Sequence, residues 1–389
     1  MYQMYIPTRT LFGAGQLNNL HNQALPGNKA VVVISNGKSA RENGYLDKTL
    51  AQLKLAKVDY TIFDKVQANP LKSTVMDGAA FARENGCDFV VALGGGSVMD
   101  ASKLIAMMAM NEGDLWDYVS YGTGKGKTPS NRALPVVAIT TTAGTGSEVD
   151  PWGVISNSDT NEKIGIGGAD DLFPVLAIVD PELMLSVSPK STAYQGFDAL
   201  FHSTEGYISL FANELSDMYA LTAIENVAKN LPTAVKDGND LEARTKVAFG
   251  NTLSGYMMVV GTCTSEHALE HAMSAYHQDL PHGAGLIMIS KAYYAHFINK
   301  HVCDDRFVKM AQVMGYPNAK APMDFLDALI RLQEACGVAD LKMSDYGLDI
   351  REFGTLSRNA RATMGDSFAC DRAPLTDDDC IEIFKASYK

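Results

Sequence analysis

Up to about residue 180 the chain keeps returning to short apolar runs rich in β-branched residues. These are AVVVIS (30–35), YTIFD (60–64), FVVALGGGS (89–97), LPVVAITTT (134–142) and LAIVD (176–180), each closed by Gly, Asn, Asp or Thr. They do not alternate apolar with polar residues, so each is expected to be a strand covered on both faces, which requires a parallel sheet packed between helices. LDKTLAQLKLAK (46–57) supplies one such helix by the spacing of its leucines. After SVSPKSTA (186–193) strand-like runs nearly vanish. SDMYALTAIENVAKNL (216–231) and PMDFLDALIRLQEACG (322–337) have helical period, the second with Gly337 as its stop. At 389 residues the chain exceeds one ordinary core. We therefore expect an α/β domain over residues 1–187 and an all-α domain over 188–389, with a cleft between them as the natural site for chemistry.

Bulk properties remove several classes of function. A formal net charge of -12 with no Lys/Arg stripe argues against a nucleic acid partner. The start MYQMYIPTRTLFGAG has no basic segment leading into an apolar one, and no run of about 18 apolar residues occurs, so no membrane association and a cytoplasmic location are expected. The six cysteines are scattered without a CxxC pair, and are read as ordinary core or surface thiols.

The helical half carries the feature that most limits the chemistry. GFDALFHSTEGY (196–207) and SEHALEHAMSAY (265–276) each contain an i,i+4 pair on one helix face, Asp198 with His202 and His267 with His271. His282 follows Pro281 and precedes Gly283, where the chain is expected to turn. Five of the eight histidines fall within residues 267–282 or pair with Asp198, His277 being the one of them without a partner in the pattern. One carboxylate and three imidazoles suit a borderline divalent ion, Fe(II), Zn(II) or Ni(II), better than Mg(II) or Ca(II), which prefer oxygen donors. His21, His277, His296 and His301 lack such support, and a core or surface role is their default.

Two glycine-bearing loops follow strands in the first half. GGGSVMD (94–100) opens a predicted helix, ASKLIAMMAM (101–110), and TTTAGTGSEVD (140–150) offers the hydroxyls of Thr141, Thr142, Thr145 and Ser147. Glycine lets backbone approach phosphate oxygens, and a helix N-terminus adds N–H donors and a favourable dipole, so a pyrophosphate is the expected occupant. GKGKT (124–128) and NGKS (36–39) lack the first glycine of a Walker loop, which argues against ATP hydrolysis, and no GxGxxG follows the first strands.

Taken together, FGAG (12–15), GGGSVMD, TTAGTGSEV (141–149), GFDALFH and HALEHAMSAYHQDLPHG (267–283) resemble the iron-containing, group III alcohol dehydrogenases, in family order and over nearly the whole chain. The resemblance implies an N-terminal dinucleotide-binding domain, a helical metal-binding domain and hydride transfer between a nicotinamide and a small primary alcohol or aldehyde. It implies Asp198, His202, His267 and His282 as metal ligands, and His271 as a non-ligating residue near nicotinamide and substrate. It further implies cofactor contacts from Asn69, Gly95, Gly96, Ser97, Val98, Asp100, Thr141, Thr142, Thr145 and Lys163. The motif's last histidine stands one residue later than in many members.

Rival readings are a dehydroquinate synthase-like lyase and a maleylacetate reductase-like enzyme of the same architecture. Both need cationic residues around an anionic substrate, whereas the metal motifs offer Phe197, Phe201, Tyr207 and Met273, an apolar lining. A metal-storage protein would need no glycine loops. NAD-preferring relatives carry Asp at the position aligned with Gly37; here the turn has Gly37, Lys38, Ser39 and Arg41, so NADP(H) is expected to be favoured over NAD(H). MYQMYIP (1–7) could pair as an edge strand with a second chain, which points to a homodimer as the smallest unit.

Overall fold

The computed structural model describes residues 2–389. It divides into two compact units, Ile6–Ser186 and Val187–Lys389, the latter joined by the N-terminal residues through Tyr5.

The first unit is built on a six-stranded parallel sheet. Its strands are β1 (Arg9–Phe12), β2 (Lys29–Ser35), β3 (Asp59–Val66), β4 (Phe89–Gly94), β5 (Val136–Thr140) and β8 (Leu176–Val179), in the order β1-β8-β5-β4-β2-β3. Every residue of β4 and β5 is buried, which is why these runs are apolar throughout. One face packs Val32, Phe89, Val91, Leu93, Ile139 and Ile178 into a single cluster, each such side chain stabilising by roughly 1.5–3 kcal/mol. The order reverses between β2 and β4, which are paired from Ala30↔Phe89 to Val33↔Ala92. The chain therefore leaves the carboxyl ends of these two neighbours in opposite directions, the place where open α/β sheets bind ligands.

Helices α2 (Tyr45–Leu55), α3 (Lys72–Glu84) and α4 (Gly96–Met110) cover the sheet, and a short α1 (Ser39–Glu42) follows β2. Two expectations are corrected here. The helix after the first glycine loop begins at Gly96, not at residue 101, so the loop shrinks to its first two glycines. Between β5 and β8 the chain forms an antiparallel hairpin, β6 (Trp152–Asn157) and β7 (Glu162–Gly167), which was not anticipated. Neither was β1, whose four residues RTLF are too short to show a pattern.

The second unit has no strand among its described residues. Its helices are α5 (Pro189–Ile208), α6 (Glu214–Lys236), α7 (Leu241–Val260), α8 (Ser265–Tyr276), α9 (His282–Asn299), α10 (Asp304–Val313), α11 (Met323–Ala335), α12 (Phe353–Ala369) and α13 (Asp377–Ser387). α5 starts with Pro189 in the first turn and Ser188 as N-cap, whose hydroxyl accepts the Ser191 N–H at 3.2 Å. From Thr192 almost every α5 residue is buried, Gln195 being the half-buried exception, so polar groups on this helix need internal partners. Gly337, at φ 69°, ends the α11 segment as expected. Among the described residues no helix is long and apolar enough to cross a membrane.

Candidate functional site

Within the helical unit, α5 presents Asp198, His202 and Glu205 at i, i+4 and i+7, one stripe of a buried helix. α8 presents His267, Glu270 and His271. His282 is not in a turn: it is the first residue of α9, directly after Pro281. The next residue explains the tight start, because a Cβ at Gly283 would collide with the carbonyl oxygen of Tyr194 on α5. Glycine at 283 thus lets α9 press its first turn against the helix that carries Asp198.

The four expected ligands converge on one carboxylate oxygen. Asp198 Oδ1 lies 3.3 Å from His202 Nδ1, 3.4 Å from His267 Nε2 and 3.5 Å from His282 Nε2. These are poor hydrogen-bond lengths. They do match three edges of a tetrahedron of donors about 2.1 Å from a shared ion, each about 3.4 Å. Asp198, His267 and His282 bring their donor atoms within 4.8 Å of one another, while His202 groups with His267 on the side of Cys263. The rings of His202 and His267 stack at 4.1 Å. His271 lies beside His282, its ring centroid 6.3 Å from that of His267 and 5.3 Å from that of His282, and its donor atom lies within 4.8 Å of those of Glu270 and His282.

Behind two of the imidazoles stand carboxylates that sequence reasoning missed. His267 Nδ1 pairs with Glu205 and His282 Nδ1 with Glu270, and both glutamate side chains are wholly buried. A carboxylate on the far nitrogen fixes a metal-binding ring in its tautomer and raises its basicity. The signal was available: Glu205 is seven residues after Asp198 on the same helix face, and Glu270 is three after His267. Burial opposes a charge on His267, but Glu205 and Asp198 outweigh it and its pKa is pushed up to about 10. Burial and the neighbouring His267 push His202 down to about 3. Burial alone would raise the Asp198 carboxyl, yet His202, His282 and His267 hold it well below the usual range. One buried positive charge is thus what this cluster of donors is arranged to hold, and the donor set fits a divalent ion.

Phe197, Phe201 and Met273 do not line this site. All three are fully buried in the helical core, with Phe201 stacked on Tyr294 at 6.2 Å. Tyr207 lies under the guanidinium of Arg306 at 4.5 Å.

In the α/β unit, β4 and β5 are in register to their ends, Gly94↔Thr140, so their glycine loops leave side by side. The Thr141 N–H donates to the Gly94 carbonyl at 2.9 Å. A Cβ on Gly95 would come within 2.8 Å of Thr142 Cγ2, and one on Gly96 would strike Thr145. The two loops pack against each other across these glycines, at the N-terminus of α4. Below them, Asp100 accepts the Ser147 hydroxyl at 2.6 Å and the Val154 N–H at 2.9 Å. Lys103, fully buried, donates to Ser147, to Asp150 and to the Trp152 carbonyl at 2.7–2.8 Å. Burial raises the Asp100 carboxyl to about 6, against the pull of Lys103. Lys163 is buried on β7, and Asn69 holds a left-handed backbone, φ 49°, after β3. Gly37 and Ser39 lie past the end of β2, where Arg41 is already paired with Asp64 at 2.7 Å.

An α/β unit with phosphate-type loops and a helical unit with a carboxylate–imidazole cluster are the equipment of a metal-dependent, nicotinamide-using oxidoreductase. Comparison with known proteins agrees. The iron-containing alcohol dehydrogenase family matches residues 7–181, and the C-terminal part of the Fe-containing alcohol dehydrogenase family matches residues 192–388. A 1,3-propanediol dehydrogenase of Citrobacter freundii is 32% identical, covering 100% of this chain and 99% of its own. The NADH-dependent butanol dehydrogenase A of Clostridium acetobutylicum is 30% identical over 98% of each. The crystal structure of an archaeal halo-thermophilic Red Sea brine pool alcohol dehydrogenase superposes with a TM-score of 0.93 at 31% identity, covering 100% of this chain and 99% of that one. The chain belongs to the iron-containing alcohol dehydrogenase family and is an NAD(P)-dependent alcohol dehydrogenase.

Proposed function

We propose that this enzyme interconverts small primary alcohols and aldehydes using a divalent ion, Fe(II), held by Asp198, His202, His267 and His282. The observation that carries this reading is the convergence of three imidazole nitrogens on Asp198 Oδ1 at 3.3–3.5 Å. When bound, the ion supplies Lewis-acid polarisation of a substrate oxygen and the nicotinamide supplies or accepts the hydride. The protein's own residues do the rest. Glu205 and Glu270 hold two of the ligand rings in place. His271, buried on α8 with its ring centroid 5.3 Å from that of His282, passes the hydroxyl proton towards solvent. Gly95, Gly96, Ser97 and Val98 at the start of α4, with Thr141, Thr142 and Thr145, take the cofactor's phosphates and ribose. Asn69 and Lys163 add contacts to the cofactor, and Asp100 at the start of α4 also ties the second loop to the hairpin through Ser147 and Val154.

Assay of short alcohols with metal-free and Fe(II)-loaded protein tests the proposal. Full activity in a preparation free of metal by elemental analysis overturns it. His271→Ala is expected to keep the metal and lose rate or shift the pH profile; loss of the metal would make His271 a ligand.

The finer cofactor reading is NADP(H) over NAD(H). It rests on the open turn at Gly37 and Ser39, where no carboxylate repels a 2'-phosphate and Lys38 supplies a cation. Arg41 adds less than its charge suggests, being paired with Asp64. The butanol dehydrogenase relatives are NADH-dependent, so this chain would depart from them. A higher kcat/KM with NADH than with NADPH overturns the reading, and reversal of an NADPH preference by Gly37→Asp locates it. A homodimer is the proposed unit: Tyr2, Met4 and Tyr5 are about half exposed, and β1 is an edge strand. A 42.0 kDa particle in light scattering across micromolar concentrations would contradict it.

A further inference from the structure

The sequence offered Cys263 as an ordinary thiol, yet it lies in the short link between α7 and α8, four residues before His267. Its sulfur and one ring nitrogen each of His202 and His267 all lie within 4.8 Å of one another, as do the donor atoms of Asp198, His267 and His282. The two groups share His267. Cys263 Sγ is also 3.8 Å from the backbone carbonyl of His202, so the thiol is packed on the first ligand helix where that ligand is carried. A second observation marks His202 as a residue without a full set of partners. It is only 8% exposed, and its Nδ1, 3.3 Å from Asp198, makes no hydrogen bond. Buried imidazole nitrogens are otherwise bonded, so this ring is set for a ligand.

The cluster thus has two chemical faces. Asp198 and His282 make one of oxygen and nitrogen, suited to Fe(II). His202, Cys263 and His267 make the other of nitrogen and sulfur, and soft thiolate ligands select thiophilic ions such as Zn(II), Co(II) and Cd(II). We propose that Cys263 is an alternative metal ligand, and that a thiophilic divalent ion at this centre is drawn into a His202–Cys263–His267 coordination that iron does not use. The step is an exchange: the S–H bond breaks, its proton leaves to solvent, and one sulfur–metal bond forms with no change of oxidation state. Desolvation and the carboxylates of Glu205 and Asp198 oppose ionisation of this half-buried thiol, and the ion's charge is what allows it there. The proposal rests on the reading of Asp198 and the three histidines as a metal centre, and it predicts that metal identity changes the ligand set and not merely the occupant.

The full-length protein, stripped of metal and loaded anaerobically with one equivalent of Co(II), tests it by absorption. A near-ultraviolet sulfur-to-cobalt charge-transfer band is expected. Cys263→Ser should abolish it while cobalt stoichiometry stays at one, and Cys370→Ser, altering the other thiol close to the 262–264 link, should leave it in place. Cadmium-113 NMR of the unsubstituted protein gives a second reading that needs no variant: a resonance shifted downfield by thiolate ligation is expected. Cobalt bound at one equivalent with no sulfur band, or a band that survives Cys263→Ser, overturns the proposal and leaves the metal centre standing. No cobalt bound by the unsubstituted protein overturns both.

Discussion

In the helical unit, the four candidate ligands meet because polar side chains are brought together on buried helix faces. In the α/β unit, two loops meet because side chains are missing. The first arrangement needs compensation: Asp198, Glu205 and Glu270 are carboxylates with little or no exposure, tolerable only with imidazoles between them and a cation to share. The second needs clearance, since Gly95 and Gly96 leave no room for a methyl beside Thr142 and Thr145. Errors in the two regions should therefore fail differently, the metal cluster through lost binding and the loops through lost fit.

The largest effect that would sharpen this contrast is at His267, which sits in both donor groups of the cluster. His267→Ala should remove the metal and take turnover below detection. Elemental analysis alongside the assay checks it, and a fully active, metal-loaded variant would break the comparison. Glu205→Gln comes next. It keeps the shape behind His267 but halves the ring's support, so metal affinity should fall about 10- to 100-fold, as measured by competition with a chromophoric chelator. An unchanged affinity would mean that the buried carboxylate is only packing.

A gentler lever is pH. In the metal-free protein His267 carries a proton up to about pH 10, and the ion must displace it. Apparent Zn(II) affinity should rise about tenfold per pH unit from 7 towards 10, releasing one proton for this ring. The same raised pKa means that the protonated ring stabilises the metal-free fold fully below its ordinary value of about 6.5, and that this contribution is lost as pH rises through about 10. Melting curves of chelated protein at pH 6, 8 and 10 should fall in that order for this reason. The smallest change expected is in the loops: Gly96→Ala should destabilise by about 1–3 kcal/mol through overpacking against Thr145, without altering metal content. Thr145→Ser, which deletes the methyl in the way, should recover part of it; no recovery would place the strain elsewhere.

Much of this architecture is legible in the sequence. The strands at 30–35, 89–94 and 176–179 are continuous apolar runs because they are buried on both faces, and burial is what sequence displays best. Asp198, His202 and His267 were visible because helical spacing turns into a shared face. Glu205 and Glu270 share those faces by the same spacing, but a glutamate on a helix is ordinarily a solvated residue, and that default hid them. Phe197, Phe201 and Met273 were misread because proximity in sequence to a site does not say which side of the helix faces it. The antiparallel hairpin escaped because its strands, WGVISN and EKIGIG, are half polar and sit between two elements of a parallel sheet.

The grip of Asp180 on the opposite end of the α/β unit has a consequence for how the protein is made. Its carboxylate accepts the N–H groups of Gly15 and Leu17 at 3.0 Å, and among the described residues β1 has only β8 as a partner in the sheet. Those partners lie about 165 residues apart. At a synthesis rate of about 5–20 residues per second, the first strand leaves the ribosome roughly 10–30 s before the strand it pairs with. For that interval the start of the chain is a strand without a sheet, and the last step in completing the α/β unit is the return of its first residues. A nascent-chain stall placed before β8 should therefore leave residues 9–12 open to protease while the β2–β4 core is already protected.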